Sequence, residues 1–136
     1  MLLKWNDKYK VGVPAIDKQH EQLFNIANQA TLALREPDES KEENIYVILN
    51  ELYAYAESHF KTEEDFMEQI SYEFYEQHKE QHKQFLLKAT ERVNALATNF
   101  DDNMLKEILE FVVDWIMEHI CEKDKLMAEA IIEFNK

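Results

Sequence analysis

Apolar side chains return along this chain every three or four residues, in long runs separated by short polar breaks. Leu23, Phe24, Ala27, Ala30, Thr31 and Leu34 make the first run. Ile45, Ile48, Leu49, Leu52, Tyr55, Ala56, His59 and Phe66 make the second. The third holds Phe74, Tyr75, His78, His82, Phe85, Leu86, Ala89 and Val93, and the fourth Leu105, Ile108, Leu109, Val112, Trp115, Ile116 and His119. This period matches ~3.6 residues per turn, so each run predicts an apolar stripe on an amphipathic helix. Boundary residues fit the breaks. Asp17 is suited to cap the first helix, Glu36-Pro37-Asp38 to end it, and Ser40-Lys41-Glu42-Glu43 to open the second as a capping box. The next break falls near Glu68 to Ser71, with Ser71 capping a third helix that runs to about Ala97. Thr98-Asn99-Phe100-Asp101 separates it from the fourth, and a last helical piece carries Leu126, Met127, Ala130, Ile131 and Phe134. Pro14 disfavours helical backbone at Val13. Residues 1 to about 16 therefore read as an arm pinned to the body by Trp5, Tyr9, Val11, Val13 and Ile16. The expected fold is all-α: one domain over 1–136, an antiparallel up-down-up-down four-helix bundle with an extended N-terminal arm and a short C-terminal helical piece.

Composition narrows what such a bundle does. One Gly and two Pro in 136 residues leave little turn chemistry for an all-β fold. A formal net charge of −13 disfavours nucleic acid and anionic membrane surfaces, both of which call for a basic patch. No apolar run reaches ~18 residues, so no membrane insertion is expected. The opening Met-Leu-Leu-Lys-Trp-Asn-Asp lacks an apolar stretch of signal-peptide length. With Cys121 as the single cysteine, no internal disulfide can form, and a cytoplasmic setting is expected. A thiol inside a helix reads first as inert packing.

The histidines change the picture most. All five, His20, His59, His78, His82 and His119, fall on apolar stripes, spread over every one of the four long helices. His78 and His82 are four apart and so stack on one face. Buried imidazoles need partners for both ring nitrogens, and so many converging inward fit a metal better than a core. Glu63, four after His59, shares its face. Asp124 lies five after His119, about 140° around a regular helix, so a π-bulge near Ile120 to Lys123 is expected to turn both inward. Five neutral nitrogens and two carboxylates exceed one tetrahedral zinc and suit two octahedral ions. Twelve positions would be met by five imidazoles, two bridging carboxylates and one bridging oxide or hydroxide, leaving one vacancy. Manganese and iron both accept such donors.

Four motifs together resemble the hemerythrin family in its single-domain bacterial form: Ile16-Asp17-Lys18-Gln19-His20, His59-Phe-Lys-Thr-Glu63, His78-Lys-Glu-Gln-His82 and His119-Ile-Cys-Glu-Lys-Asp124. The arm from Trp5 to Pro14 is similar as well, whereas Tyr72 is followed by Glu73 where many members carry proline. The resemblance implies a non-haem di-iron site that binds O2 reversibly, with two iron ions bridged by oxide or hydroxide. It implies His78, His82 and His119 on the six-coordinate iron, His20 and His59 on the iron with the vacancy, and Glu63 and Asp124 bridging. Storage or delivery of O2, with an unidentified oxygen-consuming protein as a partner, is the leading reading. An O2 or redox sensor, and a protein handling iron, peroxide or nitric oxide, are the alternatives.

A carrier rather than an enzyme is expected for two reasons. Ferritin-like oxidases use Glu-x-x-His, but the residues three before each histidine are Asp17, Ala56, Tyr75, Lys79 and Ile116. A nitrogen-rich shell also donates less charge, which disfavours O–O cleavage. The walls over the vacancy should be apolar, with Leu23, Phe24, Phe60, Trp115, Ile116 and Met117 as candidates. Tyr55 and Tyr75, one turn before ligand positions, are candidates to support them or simply core aromatics.

Overall fold

A computed structural model describes residues 4–35 and 41–136. Four long helices dominate: α1 Pro14–Arg35, α2 Lys41–Gln69, α3 Tyr75–Thr98 and α4 Asp102–His119. A π-helical turn, Ile120–Asp124, continues α4 into α5, Lys125–Phe134. Packing runs α1 to α2 to α3 to α4 and closes from α4 back onto α1, so the chain forms an all-α bundle. Among the described residues there is no strand, and no helix is long and apolar enough to cross a membrane. The expected stop at Pro37 and the capping box from Ser40 lie outside the described residues.

Where the boundaries differ from expectation, backbone chemistry explains it. Asp17 does not cap α1, which starts earlier, at Pro14. The Val13 carbonyl accepts from the Ile16 and Asp17 amides at 3.0 and 2.9 Å. Pro14 thus sits in the first helical turn, where its missing N–H is not needed. Asp17 instead reaches back to the arm, accepting from the Val11 amide at 2.7 Å and the Gly12 amide at 3.2 Å. The arm is also not fully extended, since Asp7–Tyr9 forms a 3-10 turn capped by Asn6. It is pinned as expected: Val11 and Val13 are buried, and the Trp5 and Tyr9 rings meet Phe24 edge-on at 5.1 and 5.3 Å. Gly12 has φ +97°, and a Cβ there would come within 3.0 Å of Ile132 Cδ1. The left-handed backbone favours glycine here, and a side chain would also push the Ile132 methyl aside where the arm crosses α5.

Ser71 does not cap α3; it closes α2. Its φ is +51°. The Tyr72 amide donates to the Met67 carbonyl at 2.9 Å and the Ser71 amide to Glu68 at 3.2 Å, the pattern of a Schellman motif with serine where glycine is usual. A serine is legible as a helix opener, but the left-handed closing position is a backbone demand that sequence does not advertise. Consequently α3 starts at Tyr75 and Phe74 is 46% exposed, outside the apolar stripe to which the periodicity assigns it. At the other end expectation and structure agree: α3 ends at Thr98, and Asp101 caps α4 by accepting from the Asn103 amide at 2.8 Å.

The core divides in two. A larger cluster contains Leu23, Leu49, Phe60, Phe85, Leu105 and Ile116 among others. A smaller one joins Val11, Val13 and Ile16 to Met67, Met127, Ala128 and Ile131. Between them, one turn along each helix, lies a buried polar layer: His20, His59, Glu63, His78, His82, His119 and Asp124. Each fully buried Leu, Ile or Met contributes about 1.5–3 kcal/mol, so the two clusters clamp the layer from both sides. Of the apolar residues on the last helical piece, Met127 and Ile131 are buried together with Ala128, whereas Leu126 and Phe134 are 52% and 62% exposed. The left-handed serine gives a direct test of this fold. Ser71→Gly is expected to raise stability by up to about 1 kcal/mol, because a left-handed L-residue is strained by about that much. A denaturant midpoint unchanged or lowered would contradict the strain.

Candidate metal centre

The local sequence brings seven donor side chains to one level. His20 reaches in from α1, His59 and Glu63 from one face of α2, His78 and His82 from successive turns of α3, and His119 from the end of α4. Asp124 joins them because Ile120–Asp124 is a π turn, in which residues five apart align; the expected widening is where the spacing required it. Its Oδ1 lies 3.0 Å from His119 Nε2. All seven residues are buried.

Their atoms face one another. His119 Nε2 lies 3.1 Å from His78 Nε2 and 3.2 Å from His82 Nε2. Asp124 Oδ1 is 3.0 Å from His78 Nε2, and Glu63 Oε1 is 3.1 Å from His82 Nε2. The second oxygen of each carboxylate turns the other way. Asp124 Oδ2 is 3.0 Å from His20 Nε2, and Glu63 Oε2 is 3.5 Å from His20 Nε2 and 3.3 Å from His59 Nε2. The donors therefore fall into a group of five, Glu63, His78, His82, His119 and Asp124, and a group of four, His20, His59, Glu63 and Asp124.

This arrangement fits metal ions and fits little else. Both His20 nitrogens, both Glu63 oxygens and Asp124 Oδ1 are buried without a hydrogen-bond partner. Of these, His20 Nε2, the Glu63 oxygens and Asp124 Oδ1 face other donor atoms at 3.0–3.6 Å without forming hydrogen bonds, so they converge on shared points. Orphaned buried polar groups cost about 1–3 kcal/mol each, so such a layer calls for a cation. Ligands at about 2.1 Å lie about 3.0 Å apart at right angles and about 3.4 Å apart in a tetrahedron. Five of the spacings in the five-donor group, at 3.0–3.2 Å, are near the right-angle value, and Glu63 Oε1 stands farther from His78 Nε2, at 3.6 Å.

Groups around the donors hold them in place. His59 Nδ1 lies 2.7 Å from Gln19 Oε1, and Gln19 Nε2 donates to Thr62 Oγ1 at 3.2 Å. His82 Nδ1 lies 3.0 Å from Glu64 Oε2. Phe60 stacks on the His82 ring at 3.9 Å and Trp115 on His119 at 4.3 Å, nearly parallel in both cases. Sequence reasoning missed Gln19 and Glu64. Each adjoins a ligand position, Gln19 before His20 and Glu64 after Glu63, yet serves a histidine on a neighbouring helix. The available signal was a polar residue at a helix seam, which 28 acids make unselective. Tyr75 donates to Glu68 at 3.0 Å and Tyr55 packs against the larger apolar cluster. Cys121 is exposed in the π turn, not packed as expected.

A cavity of about 40 Å³ borders the polar layer. His20, His59, His119 and Asp124 reach it, His78 and His82 do not, and its remaining walls are almost wholly apolar. Four of the six candidate wall residues, Leu23, Phe60, Trp115 and Ile116, line it. Phe24 and Met117 do not: Phe24 is taken up by Trp5 and Tyr9, and Met117 is half-buried against the larger cluster. The cavity continues past Ala56 and Phe85 to Leu49, Val93 and Ile108, further into the bundle than the motifs reach.

Electrostatics show how the layer manages when protons are the only cations. Burial pulls His20 and His78 down, but the Asp124 and Glu63 carboxylates more than offset it, raising both from 6.5 to about 9. His82 is raised too, against burial, by Glu63 and Glu64, whereas burial prevails at His119 and lowers it. Burial alone would raise Glu63, and His59 and His20 instead hold it well below the usual carboxylate range. Asp124 is opposed by burial and by Glu63, yet His119 and His20 hold it low as well. The carboxylates are built to stay charged beside positive charge.

Comparison with known proteins gives this geometry its relatives. Residues 11–131 match the model of the hemerythrin HHE cation binding domain. A bacteriohemerythrin from Clostridium acetobutylicum is 41% identical over 123 residues, covering 89% of this chain and 95% of that protein. One from Pseudomonas aeruginosa is 31% identical over 131 residues, covering 95% and 81%. One from Campylobacter jejuni is 31% identical over 110 residues, covering 80% of each chain. From its donors through its helices to most of its length, the chain belongs to the hemerythrin family.

Proposed function

We propose that this protein binds O2 reversibly at a pair of iron ions, for storage or delivery, and is not an enzyme. His78, His82 and His119 would hold one iron and His20 and His59 the other. Glu63 and Asp124 would bridge them, each giving one oxygen to either iron, alongside a bridging oxide or hydroxide. When bound and reduced, such a pair supplies electrons to O2. The protein's part is to position, to exclude water and to limit access.

One observation carries this reading: the donor group that is one short brings both of its histidines, His20 and His59, to the apolar cavity, while the fuller group brings only His119 of three. A small diatomic is the natural guest there. The cavity of about 40 Å³ is roughly three times what one water occupies. Its walls offer a water molecule few partners, and dry walls disfavour loss of charged products. Leu23, Phe60 and Ile116 would keep water off the open side, while the Trp115 and Phe60 stacks fix the imidazole planes. Beyond the donors, Tyr53 is the one ionisable group that lines the cavity, so little is at hand to move protons for turnover. Membership of the family supports iron and O2 as metal and ligand.

The test is anaerobic reduction of the iron-loaded protein followed by O2 titration. Uptake of one O2 per two irons, reversed on removing O2, is expected. Immediate irreversible oxidation with no O2 retained would instead favour sensing or iron handling. His78→Ala should lower metal content severely, while Lys79→Ala, one residue away and exposed, should leave it unchanged; equal metal content in both would remove His78 from the site. Ile116→Thr should speed autoxidation several-fold by bringing a hydroxyl to the dry wall, and an unchanged rate would show that this wall is not over the vacancy.

The pH response should change sign with metal. Without metal, His20 and His78 are raised from 6.5 to about 9. Their stabilisation is then complete below pH 6.5 and lost as pH rises through about 9. With metal, the imidazoles must be neutral, so acid competes and loosens the fold. Melting temperature should fall with rising pH for stripped protein and with falling pH for loaded protein; parallel profiles would contradict the assignment.

A further inference from the structure

The two donor groups differ in what stands behind them. His82 turns Nε2 toward the five-donor group, 3.1 Å from Glu63 Oε1, and its Nδ1 toward the Glu64 carboxylate at 3.0 Å. His59 turns Nε2 toward the four-donor group, 3.3 Å from Glu63 Oε2, and its Nδ1 toward the Gln19 amide oxygen at 2.7 Å. The amide orientation is fixed independently. The Thr62 hydroxyl donates to the Ser58 carbonyl at 3.2 Å, so its oxygen is left to accept from Gln19 Nε2, and Gln19 Oε1 must face His59. In both cases Nδ1 carries the ring proton and Nε2 is free to bind a cation. One imidazole thus donates to a charged acceptor and the other to a neutral one.

We infer that Glu64 is a positioning residue whose negative charge, acting through His82, makes the three-imidazole side the stronger electron donor, while neutral Gln19 leaves the two-imidazole side the better acceptor for a ligand. A carboxylate accepting from Nδ1–H draws the proton toward itself and moves electron density onto Nε2. That favours the more highly charged state of a metal bound there. An amide in the same place orients the ring without donating charge. The direction suits the cavity, which both His20 and His59 line and which only His119 reaches from the three-imidazole side. Glu64 lies in the groove between α2 and α3 among charges of both signs, Lys61, Lys79 and Lys83 against Glu57, Glu76 and Glu80, and its side chain is 22% exposed. Its charge is therefore hydrated on one side and committed to His82 on the other.

This inference rests on the proposed iron pair, and two arms keep the tests separate. Glu64→Gln keeps the shape and the acceptor but removes the charge. In iron-loaded protein it should shift the reduction midpoint upward and slow autoxidation, while Gln19→Glu shifts the midpoint downward. In the redox-inert arm, zinc loaded into the same protein should be lost to a competing chelator about 10-fold more readily from Glu64→Gln than from wild type, a loss typical of an outer-shell partner. An E64Q variant matching wild type in midpoint and zinc retention overturns the inference, and so would a downward midpoint. If Glu64→Ala alone weakens zinc binding, Glu64 only orients the ring and the charge has no role, which also overturns it. Failure of wild type to load iron would sink the proposed function, and the zinc arm would still decide for or against Glu64.

Discussion

The structure depends on an electrostatic constraint: seven buried donors aimed at shared points, with too few hydrogen bonds among them to satisfy their polar atoms. Such a layer is destabilising unless positive charge sits within it. Protons can supply that charge by raising His20 and His78, and metal ions can supply it while leaving the rings neutral. Folding and metal binding are therefore coupled. The two apolar clusters on either side give the layer its rigidity.

Asymmetry within the layer turns a metal site into a site for a ligand. The five-donor group sends only His119, of its three histidines, to the dry cavity, whereas both histidines of the four-donor group line it. Phe60 serves both, stacking on His82 while lining the cavity that reaches His20 and His59. Trp115 likewise stacks on His119 and on Phe85, which extends the same wall. Aromatic rings suit this double use, because one face can orient an imidazole while the edge excludes water.

The N-terminal arm has a comparable economy of parts. Asp17 binds the arm's backbone, Gly12 lets it cross Ile132, and Trp5 and Tyr9 close over Phe24. Phe24 is thereby removed from the cavity it was expected to line. A residue on the correct helical stripe need not face the site, because the stripe spans a wider arc than the site does.

Much was legible without coordinates. Helical periodicity revealed four long helices, and the placement of His20, His59, His78, His82 and His119 on their apolar faces revealed a shared centre. The five-residue spacing from His119 to Asp124 even required the π turn, because covalent geometry allows few other ways to aim both inward. These features are local or periodic, so a linear chain can carry them. Tertiary structure alone decided the rest. Ser71 closes α2 instead of opening α3, since left-handed backbone depends on the path beyond it. Gln19 and Glu64 find their histidines across helix seams, and a cavity admits Leu23 and Ile116 but not Phe24 or Met117. Those outcomes depend on which helices become neighbours and at what rotation, a relation between segments that no single segment encodes.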